Sequence, residues 1–345
     1  MAMSPLGEAN RAISLDSAGN EFLRMAKALA ASGGGVNELQ QLAQQTASPR
    51  VREVIEGRHY KSAVAVGTLT SNSGIAAYAQ LAAGFFGSLS EFSAYSKIYN
   101  VGDFFRVPLR TVISVLTTAP TAEGGVPELF AKPMSAASFG TATLDVTKAS
   151  SMIAITNELA RSSVQAAILQ LGAELRRAAS IAVDQKFLAL MAATPGITTA
   201  ATTGVTAATI LTDLTAAVTR LTIGANSRLW WIVSPKLFKT IALLQGTGGY
   251  LVVNNKIGPI SIAPSDAATT VATLIDAKGI ATELDTVAVD STQSATLQFD
   301  DNPTASAYQV VSLWQNNMTG LRCEIEFGAV ATRSTSVTTI TGYAA

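Results

Sequence analysis

The chain of 345 residues is 48% hydrophobic and only 14% charged, with 24 Lys and Arg balancing 24 Asp and Glu. That is ample apolar content for one large or two modest cores and excludes disorder throughout, while the absence of net charge excludes the strongly basic field of a nucleic-acid reader. Typical soluble domains carry about 25% charged residues, so the shortage fits a protein that hides much of its surface in an assembly.

One cysteine, Cys323, and one histidine, His59, rule out an intrachain disulfide and a Cys/His zinc site within one subunit. Cys323 falls on the inward side of an alternating strand and reads as a small buried hydrophobe; His59, between Arg58 and Tyr60-Lys61, reads as exposed. The first residues hold Glu8, Arg11 and Asp16 with no apolar core, unlike a secretory leader. Residues 62–90 carry no charge, but repeated Thr, Ser, Gly and Gln keep them from forming a membrane span.

Residues 1–60 read as a helical arm. Asp16 or Ser17 caps a short helix bearing Phe22, Leu23, Met25 and Leu29, Gly33-Gly34-Gly35 ends it, and a second helix covers 36–45. An arm of this composition docks on a neighbour or solubilises the chain. Residues 61–104 connect it to the rest.

From Phe105 the period becomes two: Phe105, Val107, Leu109, Thr111, Ile113 and Val115 alternate with Arg106, Pro108, Arg110 and Ser114. This predicts one strand, with Pro108 at an edge or bulge. A returning strand carries Phe139, Leu144 and Val146 towards Met152, Ile153 and Ile155. Residues 105–155 therefore form a long two-stranded excursion, which must lie on something, since an isolated hairpin is marginal in water.

A single long helix is predicted over 156–193 from an apolar stripe of Leu159, Val164, Ala167/Ile168, Leu171, Leu175, Ala178/Ala179, Ala182/Val183, Phe187 and Leu190/Met191. The Thr/Ala/Gly-rich stretch 194–206 marks a boundary. A shorter helix follows with Ile210, Leu214, Val218 and Leu221 on one face, then a buried strand, Leu229-Trp230-Trp231-Ile232-Val233. Ser234 and Pro235 supply the N-cap and first-turn proline of a helix over 236–244, stopped by Gly246. Near the C-terminus Leu321, Cys323, Ile325, Phe327 and Ala329 alternate with Arg322, Glu324, Glu326 and Gly328, and β-branched residues continue over 334–341. Helices and mostly antiparallel strands are segregated, an α+β pattern.

Chemistry is sparse. One histidine excludes an HExxH site within one chain and argues against a Ser-His-Asp triad; neither a GxSxG elbow nor a GxxxxGK[ST] loop is present. The Gln245-Gly246-Thr247-Gly248-Gly249 run follows a helix and reads as its C-cap turn. Asp300-Asp301-Asn302 lacks the spacing of a calcium loop and reads as a solvated turn. Trp230, Trp231 and Trp314 lack interleaved basic residues and read as core. No catalytic, cofactor-binding or metal-binding residue is expected, and no cofactor.

The order of parts, with Ala122-Glu123-Gly124…Pro127, Ile153-Ala154-Ile155-Thr156-Asn157-Glu158-Leu159, Ala182-Val183-Asp184-Gln185-Lys186-Phe187-Leu188 and Ile232-Val233-Ser234-Pro235, resembles the major capsid proteins of tailed bacteriophages, with the HK97-type fold. The resemblance covers roughly 104–340. It implies an E-loop with its flanking strands over 105–155, a peripheral-domain spine helix over 156–194, an axial domain over 195–304 and peripheral-domain strands over 305–345. It also implies hexamers and pentamers of this chain forming an icosahedral shell around double-stranded DNA, in the virion, assembled in the host cytoplasm. Portal, scaffold or decoration proteins are the implied partners, DNA contact is weak and non-specific, and no membrane is involved. An encapsulin-like nanocompartment shell is the alternative. Some relatives join an E-loop lysine to an asparagine with help from a glutamate. Asn317 and Glu324 match that pattern, whereas Val126 stands where the lysine belongs and Lys132 precedes the next proline. The bland reading of these three residues is structural.

Overall fold

The stripe of the long helix buries every fourth residue: Leu175, Ala179, Val183, Phe187 and Met191. Side chains four apart stack along one helix face, and each large one buried contributes roughly 1.5–3 kcal/mol. The computed structural model describes residues 84–118, 138–158, 165–246, 249–299 and 310–343. The arm expected over 1–60, with His59, lies outside these residues, as do 61–83, residues 119–137 of the expected E-loop with Lys132, and Asp300-Asp301-Asn302.

In chain order, a 3-10 turn at Leu89–Glu91 precedes α1 (Ala94–Val101), β1 (Phe105–Arg106), β2 (Val112–Thr118), β3 (Ser138–Thr143), β4 (Thr147–Thr156) and α2 (Gln165–Ala192). Next come β5 (Thr198–Ala201), α3 (Ala207–Arg220), β6 (Leu229–Val233), α4 (Pro235–Leu243), β7 (Gln245–Gly246), β8 (Gly249–Tyr250), β9 (Lys256–Ile257), β10 (Ile260–Pro264) and β11 (Val271–Asp276). The last are β12 (Ile280–Thr292), β13 (Thr296–Gln298), β14 (Val310–Ser312), β15 (Met318–Ala331) and β16 (Val337–Thr341). The architecture is α+β.

Several boundaries differ from the sequence reading. Thr156 closes β4 and Asn157-Glu158 are helical, one residue after the expected start, while the 28 residues of α2 span about 42 Å. The strand expected over 105–115 is two, because Pro108 offers no N–H and Arg110 adopts a left-handed φ of 61°, which breaks the ladder. The excursion does form an antiparallel pair, β2 with β3, from Val112↔Thr143 to Thr118↔Ser138. Phe139, on the returning strand β3, is 67% exposed there. The glycine run after α4 is not a simple C-cap turn: Leu244 caps the helix, and Gln245 and Gly246 pair with Tyr250 and Gly249.

The described chain divides into two units, one within 1–91, 149–182 and 286–325, the other within 92–148, 183–285 and 326–345. Residues 286–299, expected in an axial domain, thus fall in the first unit. There Ile155 and Leu321 form a small core with Ile153, β13 pairs with β14, and Leu297 and Leu313 crowd Gly320.

The second unit holds a six-stranded sheet ordered β5-β16-β11-β6-β10-β9. Its core gathers Ile210 and Leu214 of α3, Ile241 of α4, Trp231, Ile262 and Leu274 of the sheet, and Tyr343, whose ring meets Trp231 edge-on at 6.1 Å. The expected N-cap is present: Ser234 Oγ accepts from Leu237 N, with Pro235 in the first turn. Strand β16 was expected to complete a peripheral sheet with β15. Instead β15 lies in a sheet ordered β1-β12-β15-β4, while β16 runs antiparallel to β11 and parallel to β5. The turn Ser334–Ser336 between β15 and β16 redirects the chain.

Gly328, on β15, sits where a Cβ would come within 2.7 Å of Leu109 Cδ2 and 2.8 Å of the Asp145 carbonyl oxygen. Gly328→Ala should destabilise the unassembled subunit by roughly 1–3 kcal/mol in urea unfolding, since overpacking against backbone has no cheap relief. An unchanged midpoint would contradict this close approach.

Candidate functional site

A helix N-terminus leaves N–H groups without intrahelical partners. At α1 they are met from far along the chain: both oxygens of Asp184, on α2, take up Ala94 N (2.8 Å) and Tyr95 N (3.1 Å). Ser93 Oγ donates to the same carboxylate at 2.6 Å while accepting from Ser96 N as the N-cap, and Ser265 Oγ donates to its other oxygen. Asp184 is fully buried, and this shell of four donors is what makes its burial tolerable. Burial pushes its carboxyl above the usual aspartate range; the bonds from Ser265, Ser93, Ala94 and Tyr95 pull against that rise.

Rings pack beside this carboxylate. Tyr95 lies 5.1 Å from Phe187, one turn along α2, and 4.8 Å from Phe327 of β15. Its hydroxyl pairs with Thr282 Oγ1 at 2.8 Å, and Thr282 in turn donates to the Gly328 carbonyl. Two serines and an aspartate sealed from solvent without a histidine cannot run acyl transfer; the arrangement is a clamp.

Asp213 makes a second clamp. Its carboxylate accepts from the Thr202 and Thr203 hydroxyls, Thr203 N and the Tyr343 hydroxyl. Desolvation raises its pKa, but the bonds from Thr203, Thr202 and Tyr343 outweigh that and hold it below the usual value. Its contribution to stability is therefore lost as pH falls through that lowered value.

Among the residues singled out from sequence, Asn317 stands just before β15 with φ 52°. Its Oδ1 accepts from Asn157 Nδ2 at 2.7 Å, and its carbonyl accepts from Asn157 N at 3.0 Å. Glu324 is half-buried and lies 3.4 Å from Arg322, which also reaches Asp290 at 2.9 Å. Seven residues of strand separate the two by about 23 Å, so within one subunit they do not meet. Lys132 lies outside the described residues. Cys323 is buried and its thiol is pushed up to about 12 by that burial, matching its reading as a small hydrophobe. Trp230 and Trp231 are buried, but Trp314 is 77% exposed in the turn after β14, a correction to its reading as core. Among the described residues no group of acidic, Cys or His side chains could hold a metal, and no helix is long and apolar enough to cross a membrane.

Comparison with known families adds the deciding observation: residues 140–340, more than half of the chain, match the family model described as phage capsid protein. The chain belongs to the phage capsid protein family. This capsid protein is a structural shell component rather than an enzyme. Among solved structures it is similar to one from Gordonia phage Cozz at 17% identity, covering 70% of this chain and 85% of that one, with a TM-score of 0.44. One from Mycobacterium phage Ogopogo is 14% identical over 73% and 91%, with a TM-score of 0.46. A virus-like particle from Pyrococcus furiosus is 10% identical over 69% and 90%, with a TM-score of 0.42. No curated protein sequence matches.

Sequence reasoning quoted Asp184 inside a motif but missed its role. The signal was there: a carboxylate directly beside the apolar stripe at Val183 and Phe187 must be paired or pay heavily in desolvation.

Asp184→Asn puts an NH2 group against two of the four donors and should cost about 2–4 kcal/mol in urea unfolding of the capsid subunit. Because the folded pKa is raised, the native state keeps a proton that the unfolded chain has lost, so the stability this group contributes falls as pH rises from about 3.8 through the raised value. The wild-type advantage over the variant should therefore shrink as pH rises above about 3.8; an advantage that grows would overturn the assignment. Asn317, engaged as a turn acceptor, should remain uncoupled to other chains. Particles boiled in SDS should give a monomer-sized band, and a ladder abolished by Asn317→Ala would show instead that it is cross-linked.

Proposed function

We propose that this capsid protein is a tailed-phage major capsid protein of HK97 type that assembles as hexamers and pentamers into an icosahedral shell around double-stranded DNA. The observation that carries the reading is the hairpin of β2 and β3. Its strands pair with each other; at its base Ile113 packs into a small core with Leu144 and Ala281, and farther along the described contacts of β2 are Leu116 N donating to the Thr332 carbonyl and a bridge to Arg333. A two-stranded ribbon with Val112 and Phe139 exposed is marginal alone and gains stability by lying on another copy.

Weak apolar interfaces repeated over many copies supply the association, and balanced charge limits repulsion between them. The surface facing DNA is only mildly charged, because a dense basic lining would grip a polymer that must enter and leave. Portal, scaffold or decoration proteins complete the particle.

Expression of the full chain should give closed shells of uniform diameter by electron microscopy, and particles from infected cells should protect double-stranded DNA from nuclease. Uniform shells that hold protein cargo and protect no DNA would instead establish the encapsulin-like alternative.

A further inference from the structure

Charge in this neutral chain is unevenly placed along it. Residues 279–321 contain five carboxylates and no Lys or Arg, whereas residues 220–278 contain six Lys and Arg against two carboxylates. Within the acidic stretch stands the only adjacent acidic pair, Asp300-Asp301, and directly before it Phe299 is 53% exposed.

The cationic stretch contributes to a groove of about 620 Å³ in the second unit. Val101 and Ile223, 60% and 44% exposed, form apolar walls with Pro259, above the buried ring of Trp230. Two cations, Arg228 and Lys256, line it, and one carboxylate, Asp103. Asp103 is already engaged, accepting from Trp230 Nε1 at 2.8 Å with Arg228 Nε at 4.0 Å. Lys256 is exposed with no carboxylate partner among the described residues, and Lys278 reaches the adjacent Gly102 carbonyl at 3.2 Å. The groove thus combines apolar walls sized for an aromatic side chain with surplus positive charge. Its lining is too apolar for a bare phosphate and suits an aromatic anchor followed by carboxylates.

We infer that this groove receives Phe299-Asp300-Asp301 of a neighbouring copy, Phe299 between Val101 and Ile223 and the carboxylates against Arg228 and Lys256. Socket and plug are different surfaces of one chain, so the contact is head-to-tail and closes into rings when the rotation per copy permits. The inference rests on the shell reading and names one contact that would order copies around a capsomer. Both tracts carry net charge of opposite sign, so the same contact steers encounter and disfavours socket-to-socket and plug-to-plug pairing.

A charge swap tests it, with wild-type shells as the control: if the wild-type chain forms no shells, the shell reading itself fails. Arg228→Glu with Lys256→Glu, and separately Asp300→Lys with Asp301→Lys, should each lower shell yield at least tenfold while leaving thermal unfolding of the subunit unchanged. All four substitutions in one chain should restore shells. Wild-type yield from the groove variant, or no recovery in the fourfold variant, would overturn the contact; normal shells would also mean that the groove serves another acidic partner. Should a charge variant fail to fold, Ile223→Cys with Phe299→Cys decides the matter, both sites being solvent-facing and Cys323 buried. Oxidation of those particles should give a ladder of disulfide-linked chains on a non-reducing gel, and monomers alone would refute the inference.

Discussion

A carboxyl group that is fully buried must find its hydrogen bonds inside the protein, and Asp184 meets that demand by recruiting groups from two distant places in the chain. Ser93 and the first amides of α1 come from one side, Ser265 from the end of β10, and the aspartate itself from α2. Each partner satisfies a need of its own: the α1 N–H groups are capped, and Ser265 Oγ also accepts from Ala267 N. Fixing α1 in this way places Tyr95 against Phe187 and Phe327, Lys97 against the Ile262 carbonyl, and the chain just beyond it so that Asp103 meets Trp230. Much of the second unit's internal geometry follows from one buried carboxyl group.

The polar groups elsewhere in that unit follow the same rule. Asp213 holds Thr202, Thr203 and Tyr343, and Asp276 accepts from Ser227 Oγ and Arg228 N. Each buried aspartate pins a loop or terminus that apolar packing alone would leave free to slide. Such internal stiffness suits a shell component, because contacts repeated over many copies tolerate little drift in the subunit that presents them. With only 14% of its residues charged, the chain still places several carboxyl groups inside.

Patterns that depend on near neighbours were legible. The α2 stripe, the alternation of β15 and the Ser234-Pro235 start of α4 all rest on periods of 3.6 or 2, or on a cap within three residues. Illegible were the features that need a distant partner. The expected strand at 105–115 broke at Pro108 and Arg110 despite good alternation, β16 chose β11 over a peripheral sheet, and Trp314 was left exposed by the turn that carries it. The sequence offered candidates at Asn317 and Glu324 but not the Asn157 bonds that occupy Asn317.

By itself the sequence determined the class of protein: low balanced charge, no catalytic set, and an order of parts shared with phage capsid proteins, because composition and periodicity are local properties that survive without coordinates. Only the tertiary structure decided how the parts are held. Whether a carboxylate is a surface charge or a buried clamp, and whether a groove collects cations around a tryptophan, depends on side chains tens to hundreds of residues apart. Their meeting is set by the summed burial of the whole unit and not by any one segment.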